Sequence, residues 1–210
     1  MIGEHLVPLL VEGGHHVAGV TRTPGKAARL RHAGAEPVVC DVFERDALAR
    51  AVAGLSPDVV VHQLTDLPDD PAQVREQAAA NSRMRREGTT NLVDAACACR
   101  ARVIAQSVAW SIPGDGGQAV ELHERTVLDA GGVVVRYGQL FGPGTYYPVM
   151  PPGPPRIHVD EAARRTVTLL QAPSGIVDIV DDSGQVLPLP PPRTSKAPVA
   201  RGGHGAVAPR

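Results

Sequence analysis

Two hydrophobic spacings alternate along the first 180 positions of the chain, and each spacing predicts one kind of element. Ile2, Leu6, Leu9 and Leu10 recur at the spacing of a helix, and Gly13 follows them as a stop signal. The next apolar positions form short unbroken runs rich in Val and Ile, which predict strands that are buried on both faces. The predicted strands, in chain order, are HHVAGV, AEPVVCDV, PDVVVHQL, RVIAQS, GVVVRYG and GIVDIVDD.

Amphipathic or polar segments separate these strands and predict helices. Besides the first helix, they are TPGKAARLRHAG, ERDALARAVAG, a long polar helix from Asp70 to Arg100, AVELHERTVLDAG and HVDEAARRTVTLLQ. The segment PVMPPGPPR, residues 148–156, is stiff and poor in backbone donors, so it predicts a loop. Strands that alternate with helices in this way indicate an α/β fold, with a doubly wound parallel sheet covered on both faces.

Glycine and proline are more abundant than in an ordinary globular chain. The 210 residues include 22 glycines and 20 prolines, about a fifth of the chain, against a usual share of about 12%. Near the carboxyl end, LPLPPPRTSKAPVARGGHGAVAPR contains almost no large apolar side chain. Such a segment buries too little surface to offset its ordering entropy. We therefore expect a folded body followed by a disordered tail over 183–210.

Charge and cysteine usage exclude several classes of partner. The net charge of −1 gives no electrostatic reason to expect binding to nucleic acid or to an anionic membrane. No apolar stretch approaches the roughly 20 residues that span a bilayer, and the first residues lack a basic leader. The three cysteines, Cys40, Cys97 and Cys99, fit a reducing compartment, and their spacing predicts packing residues and no metal site. These features favour a cytoplasmic location.

Six segments, taken in order, resemble the extended short-chain dehydrogenase/reductases, the NAD(P)-dependent epimerase/dehydratase group. The first is MIGEHLVPLLVEGGHHVAGVTR, which is similar to that family's first helix and second strand. The others are VVCDVFERDALARAV, PDVVVHQLT, NSRMRREGTTNLVDAACA, VVVRYGQLFGPGT and RIHVDEAARRTV. The resemblance covers Gly3 to about Asp182. It implies an NAD(P)-binding Rossmann-like domain over 1–137 and a reduced substrate-binding region over 138–182.

The resemblance also implies a strand and a glycine-rich turn ahead of the first helix. Gly3 matches the last glycine of a Gly-x-x-Gly-x-x-Gly turn, while the family's first strand and first two glycines have no counterpart in the sequence. That strand is central in such folds, so its loss would leave backbone groups unpaired on both neighbours. Either the coding frame begins upstream of Met1, with an apolar strand and Gly-x-x-Gly, or the chain is an altered family member.

Residues at the ends of the predicted strands are the candidates for holding a nicotinamide dinucleotide. An acid usually follows the second strand in NAD sites, but here Thr21 and Arg22 stand there and the next acid is Glu36. The Arg22 guanidinium suits a 2′-phosphate, which favours NADP over NAD, with a solvated surface arginine as the alternative. The resemblance adds six further cofactor contacts: Gly3, Asp41, Val42, Gln63, Leu64 and Thr65.

The family's chemistry uses a Tyr-x-x-x-Lys pair on the helix after the fifth strand, with a Ser or Thr just past that strand. The matching segment, AQSVAWSIPGDGGQAVELHERTVLDAGG, contains neither tyrosine nor lysine, and Tyr-x-x-x-Lys occurs nowhere in the 210 residues. If Glu124 matches the family's helix glutamate, Gly116 and Val120 occupy the two catalytic places. Ser107 matches the hydroxyl position, with Ser111 as the alternative register.

Other side chains offer substitutes for the missing pair. The phenols around the expected substrate loop, GPGTYY, are Tyr137, Tyr146 and Tyr147. We take Ser107 and Tyr137 as the catalytic candidates, although a tyrosine without a neighbouring cation keeps a pKa near about 10, which is poor for catalysis at neutral pH. His123 and Glu124 are a second option, for which an exposed pair on a helix surface is the simpler interpretation.

The sequence thus supports two functions. The first, implied by the resemblance, is an NAD(P)-dependent oxidoreductase or epimerase that acts on a small hydroxy or keto substrate such as a nucleotide sugar. The second is a non-catalytic or degenerate nucleotide-binding protein of the same family, which the absent tyrosine and lysine favour. The sequence is compatible with a homodimer and leaves the substrate and the direction of reaction open.

Overall fold

The computed structural model describes residues 2–150 and 152–181, in which strands alternate with helices. The strands are β1 (Ala18–Thr21), β2 (Glu36–Val39), β3 (Val59–His62), β4 (Arg102–Val108), β5 (Val133–Tyr137), β6 (Gln139–Phe141), β7 (Arg156–His158) and β8 (Gly175–Ile179). The helices are α1 (Ile2–Glu12), α2 (Ala27–His32), α3 (Arg45–Leu55), α4 (Ala78–Arg83), α5 (Thr89–Ala98), α6 (Gly114–Asp129) and α7 (Val159–Val167). The tail predicted over 183–210 lies outside the described residues.

Hydrogen bonding divides the described strands into three parallel sheets. β3, β4, β5 and β8 form a four-stranded sheet in that order, β1 pairs with β2, and β6 pairs with β7. β1 and β3 are not hydrogen-bonded to each other, so each lies at the edge of its own sheet. The predicted α/β, Rossmann-like class is confirmed. The break between β1 and β3 lies where the strand order of such folds places the first strand.

The four-stranded sheet is covered on both faces because successive residues of a strand point to opposite sides. Ile104, Val133 and Val135 pack with α1 and α7, whereas Val103 and Val134 pack with α5 and α6. All five side chains are buried. The unbroken apolar strands in the sequence are therefore explained by two helical layers. Across the described residues, no helix is long and apolar enough to cross a membrane.

The first helix follows the sequence pattern closely. Ile2, Leu6 and Leu10 of α1 are its buried residues, and they join the cluster that α1 shares with α7. The helix ends at a glycine pair in which Gly14 adopts a φ of 83°, a conformation that favours glycine. The amide of His15 then donates to the carbonyl of Leu10 at 3.1 Å, which closes the end of the helix.

Two predicted helices differ from the structure. The helix predicted from Ala119 begins five residues earlier, at Gly114, because the extended backbone of Pro113 sets its start and the packing of the Ala119 face outweighs the low helix propensity of the glycines. The long helix predicted from Asp70 begins with a 3-10 turn (Pro71–Gln73) and becomes helical only from Ala78 onward. It contains a π-helical segment (Met84–Gly88) before α5.

Sheet β6–β7 was not predicted. Each strand has only three residues, which is too short for a periodic pattern to appear. Their approach depends on Gly138, because a side-chain carbon there would lie 2.6 Å from the backbone nitrogen of Arg156. Arg156 was assigned to a loop and is the first residue of β7.

Candidate functional site

A cavity of about 2270 Å³ opens at the break between β1 and β3. Both strands and helices from both layers line it. All ten site residues predicted from the sequence border this cavity: Gly3, Thr21, Arg22, Asp41, Val42, Gln63, Leu64, Thr65, Ser107 and Tyr137. The ends of neighbouring parallel strands meet at one edge of a sheet, which explains why these separate segments converge. Their individual roles stay predictions.

Arg22 follows β1 and forms an ion pair that the sequence did not suggest. Its guanidinium donates twice to the carboxylate of Asp66, with nitrogen–oxygen distances of 2.5 and 3.2 Å. The hydrogen bond to Asp66 raises the pKa of Arg22, against a smaller effect of burial. Asp66 lies four residues beyond β3, and the side chain of Asn81 accepts a hydrogen bond from its amide at 3.2 Å. An acid therefore does stand near Arg22, supplied by the other sheet.

The turn after β2 is hydrogen-bonded to α5 through the side chain of Asn91. The carboxylate of Asp41 accepts a hydrogen bond from the amide of Phe43 at 3.0 Å, which fixes the turn. The side chain of Asn91 donates to the carbonyl of Val42 at 3.0 Å. Gly88 lets the helical run approach, since a side-chain carbon there would lie 3.3 Å from Val42. This turn presents Asp41 at the rim of the cavity.

Gln63 links the carboxyl ends of β3 and β5. Its side-chain nitrogen lies 3.3 Å from the hydroxyl of Tyr137, which in turn lies 2.6 Å from the hydroxyl of Thr166. Thr166 donates to the carbonyl of Ala162, so the Tyr137 hydroxyl donates to Thr166 and accepts from Gln63. Burial raises the pKa of Tyr137. The side-chain oxygen of Gln63 is buried and has no hydrogen-bond partner among the described residues.

A buried histidine–threonine–histidine chain lies beneath Leu64. The amide of Leu64 donates to Nδ1 of His62 at 3.2 Å, so Nε2 of His62 carries the proton and donates to Thr89 at 3.0 Å. The Thr89 hydroxyl then donates to Nδ1 of His123 at 2.7 Å, and Nε2 of His123 donates to the carbonyl of Gln106 at 2.8 Å. The Gln106 side chain completes a ring by donating to the carbonyl of Leu64 at 3.1 Å.

The same chain keeps both imidazoles uncharged. Burial lowers the pKa of His62 to about 3, with a further contribution from His123. Burial likewise lowers the pKa of His123 to about 4. His123 was interpreted as part of an exposed helix pair, and this is wrong because only 2% of it is exposed. The sequence offered no signal for Thr89, which connects two elements that are distant along the chain.

Ser107 is engaged by a second buried network. Its hydroxyl donates to Glu124 at 2.5 Å, and Arg136 donates to both oxygens of the same carboxylate at 2.5 and 2.9 Å. Burial alone would raise the pKa of Glu124, but the hydrogen bonds from Arg136 and Ser107 outweigh it and lower that pKa. Glu124 is 7% exposed, so its assignment to an exposed pair is also wrong. The network ties α6 to β4 and β5.

The first turns of α6 carry no acid or base at the positions that the resemblance singled out. Gly116 borders the cavity, and Val120 lies one turn further along the same helix. Tyr146 donates to the carbonyl of Pro68, and Tyr147 lies 3.3 Å from Gln139. Among residues 2–150 and 152–181, no three histidine, cysteine or acidic side chains come together in a group that would hold a metal ion.

Comparison with known proteins identifies the family to which this chain is similar. The model of the NAD dependent epimerase/dehydratase family matches residues 1–130. The 3-diazoavenalumate denitrifying reductase of a Streptomyces species is 33% identical over 258 residues, which cover 95% of this chain and 83% of the reductase. Because this alignment is longer than the chain, segments of the reductase inside the matched region have no counterpart here.

Solved structures share the fold at low sequence identity. The UDP-glucose 4-epimerase of Thermus thermophilus, in complex with NAD, has a TM-score of 0.69 and 16% identity, over 86% of this chain and 74% of that one. The UDP-Glc/GlcNAc 4-epimerase of Campylobacter jejuni has a TM-score of 0.70 and 14% identity, over 86% and 75%. The family match and the reductase lead to one conclusion: this chain belongs to the NAD-dependent epimerase/dehydratase family.

Proposed function

We propose that the chain binds a nicotinamide dinucleotide in the cavity between β1 and β3, with a preference for NADP(H) over NAD(H). The observation that carries this proposal is the convergence of Arg22, Asp41 and Gln63 at the carboxyl ends of neighbouring strands around one large cavity. Two features of these residues fit such a ligand. Within the described part of the chain, the Gln63 oxygen is a buried acceptor without a partner, and Gly3 has no atom within 4 Å of the place a side chain would take.

The preference for NADP(H) rests on the guanidinium of Arg22. A phosphate offers a guanidinium more charge and more acceptors than a hydroxyl does, so a 2′-phosphate gains more from Arg22 than a ribose hydroxyl. Asp66 already takes two of the N–H groups of Arg22, and a bound 2′-phosphate must share or displace that carboxylate. Asp66 therefore limits the preference, and removing its charge should increase it.

Nucleotide affinity in three variants tests this assignment. Fluorescence titration with NADPH and NADH should show that Arg22→Ala weakens NADPH binding by about 10-fold to 100-fold, with little change for NADH, because a charged hydrogen bond contributes about 1.5–3 kcal/mol. Asp66→Asn should strengthen NADPH binding. Arg45→Ala is the matched control, since it breaks an exposed ion pair, 2.8 Å long, between Arg45 of α3 and Asp94 of α5. An unchanged NADPH/NADH ratio in Arg22→Ala would contradict the preference.

The chemistry of the family is a separate question from binding. The dinucleotide, when bound, supplies hydride transfer. This chain must then move a proton on a small hydroxy or keto substrate, such as a nucleotide sugar, which is the substrate class we propose. The hydroxyl of Tyr137 donates to Thr166 and its pKa is raised by burial, and the hydroxyl of Ser107 donates to Glu124. Each of these hydroxyls already donates its proton to another side chain, so it must break that hydrogen bond before it can donate to a substrate.

A second candidate function, nucleotide binding without family-type catalysis, is favoured by Gly116 and Val120. Neither side chain transfers a proton, and neither holds a ribose as a lysine would. Positioned acid/base groups contribute about 10²–10⁴-fold to rate. We therefore expect little or no NADPH turnover on keto sugars and simple ketones by the purified chain, even where NADPH binds.

Substituting the phenols decides between the two functions. Robust turnover by the unaltered chain would refute the non-catalytic candidate. Loss of that turnover in Tyr137→Phe, Tyr146→Phe or Tyr147→Phe would identify a relocated phenol, since all three side chains border the cavity. A homodimer, a cytoplasmic location and the division into regions 1–137 and 138–182 remain predictions from the sequence.

A further inference from the structure

Within residues 2–150 and 152–181, Arg85 is the one arginine that is both shielded from solvent and without a partner. It is half-buried, and it makes no hydrogen bond or ion pair with another residue in these ranges. The other half-buried arginines all have partners, and they are Arg86, Arg136, Arg156, Arg164 and Arg165. The other arginines without a partner in the described part of the chain are exposed, and they are Arg31, Arg50, Arg75, Arg100 and Arg125.

Three acidic side chains on the neighbouring elements are paired with other arginines. Glu124 is the acid whose charge acts on Arg85, but its carboxylate accepts hydrogen bonds from Arg136 at 2.5 and 2.9 Å. Glu87, in the same π-helical segment, and Asp115, at the start of α6, pair with arginines at 2.7 and 2.6 Å. Burial lowers the pKa of Arg85, and Glu124 offsets this only in part. The cost of shielding this cation from water is therefore not balanced by an ion pair.

Arg85 borders the cavity on the side of α6. It lies in the π-helical segment (Met84–Gly88), a rare conformation that is frequent at functional sites. His123 and Gly116 of α6 border the same cavity. Burial is the main reason why the pKa values of His62 and His123 are low, and the charge of Arg85 lowers both further. The cation therefore lies near the buried histidines, on the side where the glycine of α6 offers no side chain.

Apolar side chains form the neighbouring wall of the cavity. Trp110 and Ile112, in the loop between β4 and α6, border the cavity, and Trp110 is 39% exposed. Ile112 lies over Gly116, because a side-chain carbon at that glycine would lie 2.8 Å from Cγ2 of Ile112. The ion pair of Arg86 with Asp115, at 2.6 Å, joins the π-helical segment to this first turn of α6. The segment that carries the unpaired cation and the apolar wall are thus fixed to each other.

We propose that Arg85 binds an anionic group of the substrate, a carboxylate or a phosphate, in the cavity beside the first turns of α6. A planar guanidinium donates two parallel hydrogen bonds to such a group. Arg22 and Asp41, which are proposed to hold the dinucleotide, follow β1 and β2, whereas Arg85 lies beside α6. The inference rests on the proposed function in one respect, since it assigns the anion to the substrate because the dinucleotide occupies the side of β1.

Thermal stability distinguishes a binding residue from one that supports the fold. Arg85→Met keeps an apolar side chain of similar reach and removes an unpaired charge, so it should leave Tm unchanged or raise it by about 2–4 °C. Arg125→Met is the matched control, because Arg125 lies in α6, is exposed and has no partner in the described part of the chain. A Tm of Arg85→Met that lies about 5 °C or more below that of the control would overturn the proposal.

Calorimetric titration with two anions tests the site itself. Benzoate offers a carboxylate on an apolar ring, which suits the wall at Trp110, and inorganic phosphate is the second probe. Arg85→Met should weaken binding of the tighter probe by about 10-fold to 100-fold, which is the usual contribution of a charged hydrogen bond, and Arg85→Lys should retain part of the affinity. The tighter probe tells a carboxylate site from a phosphate site. Equal affinities in the unaltered chain and Arg85→Met, or no binding of either anion at millimolar concentration, would overturn the proposal.

NADPH affinity separates this inference from the proposed nucleotide function. Arg85→Met should change NADPH affinity little, and Arg22→Ala should leave benzoate affinity unchanged. A loss of NADPH affinity in Arg85→Met as large as the loss of anion affinity would assign Arg85 to the dinucleotide, which overturns this inference and supports nucleotide binding. Anion binding that depends on Arg85 in a chain that binds no NADPH would instead refute the nucleotide proposal and support the anion site.

Discussion

The hydroxyl group of Thr89 connects His62 to His123 in the buried series of hydrogen bonds. It accepts from His62 at 3.0 Å and donates to His123 at 2.7 Å, and Thr89 is fully buried. Thr89→Val keeps the shape of the side chain and removes both hydrogen bonds at once. The Nε2 proton of His62 and the Nδ1 lone pair of His123 are then left without partners in the interior.

The size of the effect follows from these two orphaned groups. Each buried polar group that loses its partner costs about 1–3 kcal/mol, so Thr89→Val should lower the free energy of unfolding by about 2–6 kcal/mol. Thr89→Ser retains the hydroxyl and removes one methyl group, which should cost about 1 kcal/mol. Thr90→Val is the matched control, since Thr90 is exposed and its change should stay within about 0.5 kcal/mol.

Urea unfolding of the three variants, followed by far-UV circular dichroism, measures these differences. The order of stability should be Thr90→Val, then Thr89→Ser, then Thr89→Val. Equal destabilisation by Thr89→Val and Thr90→Val would show that the chain of hydrogen bonds contributes nothing, and would refute the assigned donors. The ring also holds Leu64 through Gln106, so NADPH affinity should fall in Thr89→Val more than in Thr89→Ser.

Two further predictions concern titratable side chains in the two buried hydrogen-bond networks. The folded pKa values of His62 and His123, about 3 and about 4, lie below the unfolded value of about 6.5, so the unfolded chain binds more protons between these values. The free energy of unfolding should therefore be constant above pH 6.5 and fall as the pH drops below it, by about 1.4 kcal/mol per pH unit for each histidine. Urea unfolding at pH 7.5, 6.5 and 5.5 measures this dependence. A free energy of unfolding that does not change over this range would contradict the prediction. Glu124→Gln should destabilise the protein by about 1–3 kcal/mol in urea unfolding, because Arg136 loses its charged acceptor, whereas the exposed control Glu121→Gln should change little.

The sequence was sufficient for the elements whose pattern is local. The spacing of Ile2, Leu6 and Leu10 predicts α1, and the unbroken valine runs predict strands buried on both faces, because burial on two sides removes every polar position. The glycines of α6 and the three-residue strands β6 and β7 were not predictable in this way. Packing against distant segments, and the approach at Gly138, decide those elements.

Topology brings the candidate residues at the strand ends to one cavity, where their roles stay predictions, whereas the contacts made by the helices were not predicted. Nine of the ten candidates converge because parallel strands place their carboxyl ends at one edge, whereas Gly3 lies in α1. The ion pair of Arg22 with Asp66 follows from the same rule, since both residues lie beyond strand ends, although it was not predicted. Thr89 and His123 meet only through the packing of α5 against α6, for which the sequence contained no local signal.

Two roles are expected of α6 from the family resemblance, namely holding the sheet in place and carrying the groups that transfer a proton, and they fall on different turns of the helix. Its middle turns carry His123 and Glu124, which hold β4 through Gln106 and Ser107. Its first turns carry Gly116 and Val120 at the places expected for a proton donor and a ribose-binding cation. The contacts that brace the sheet edge are therefore present, while the groups that would transfer a proton there are absent from this helix. Since bracing and proton transfer depend on different turns, the loss of one leaves the other intact. The nucleotide-binding role proposed above needs the cavity edge to be held in place and does not need an acid/base pair on α6.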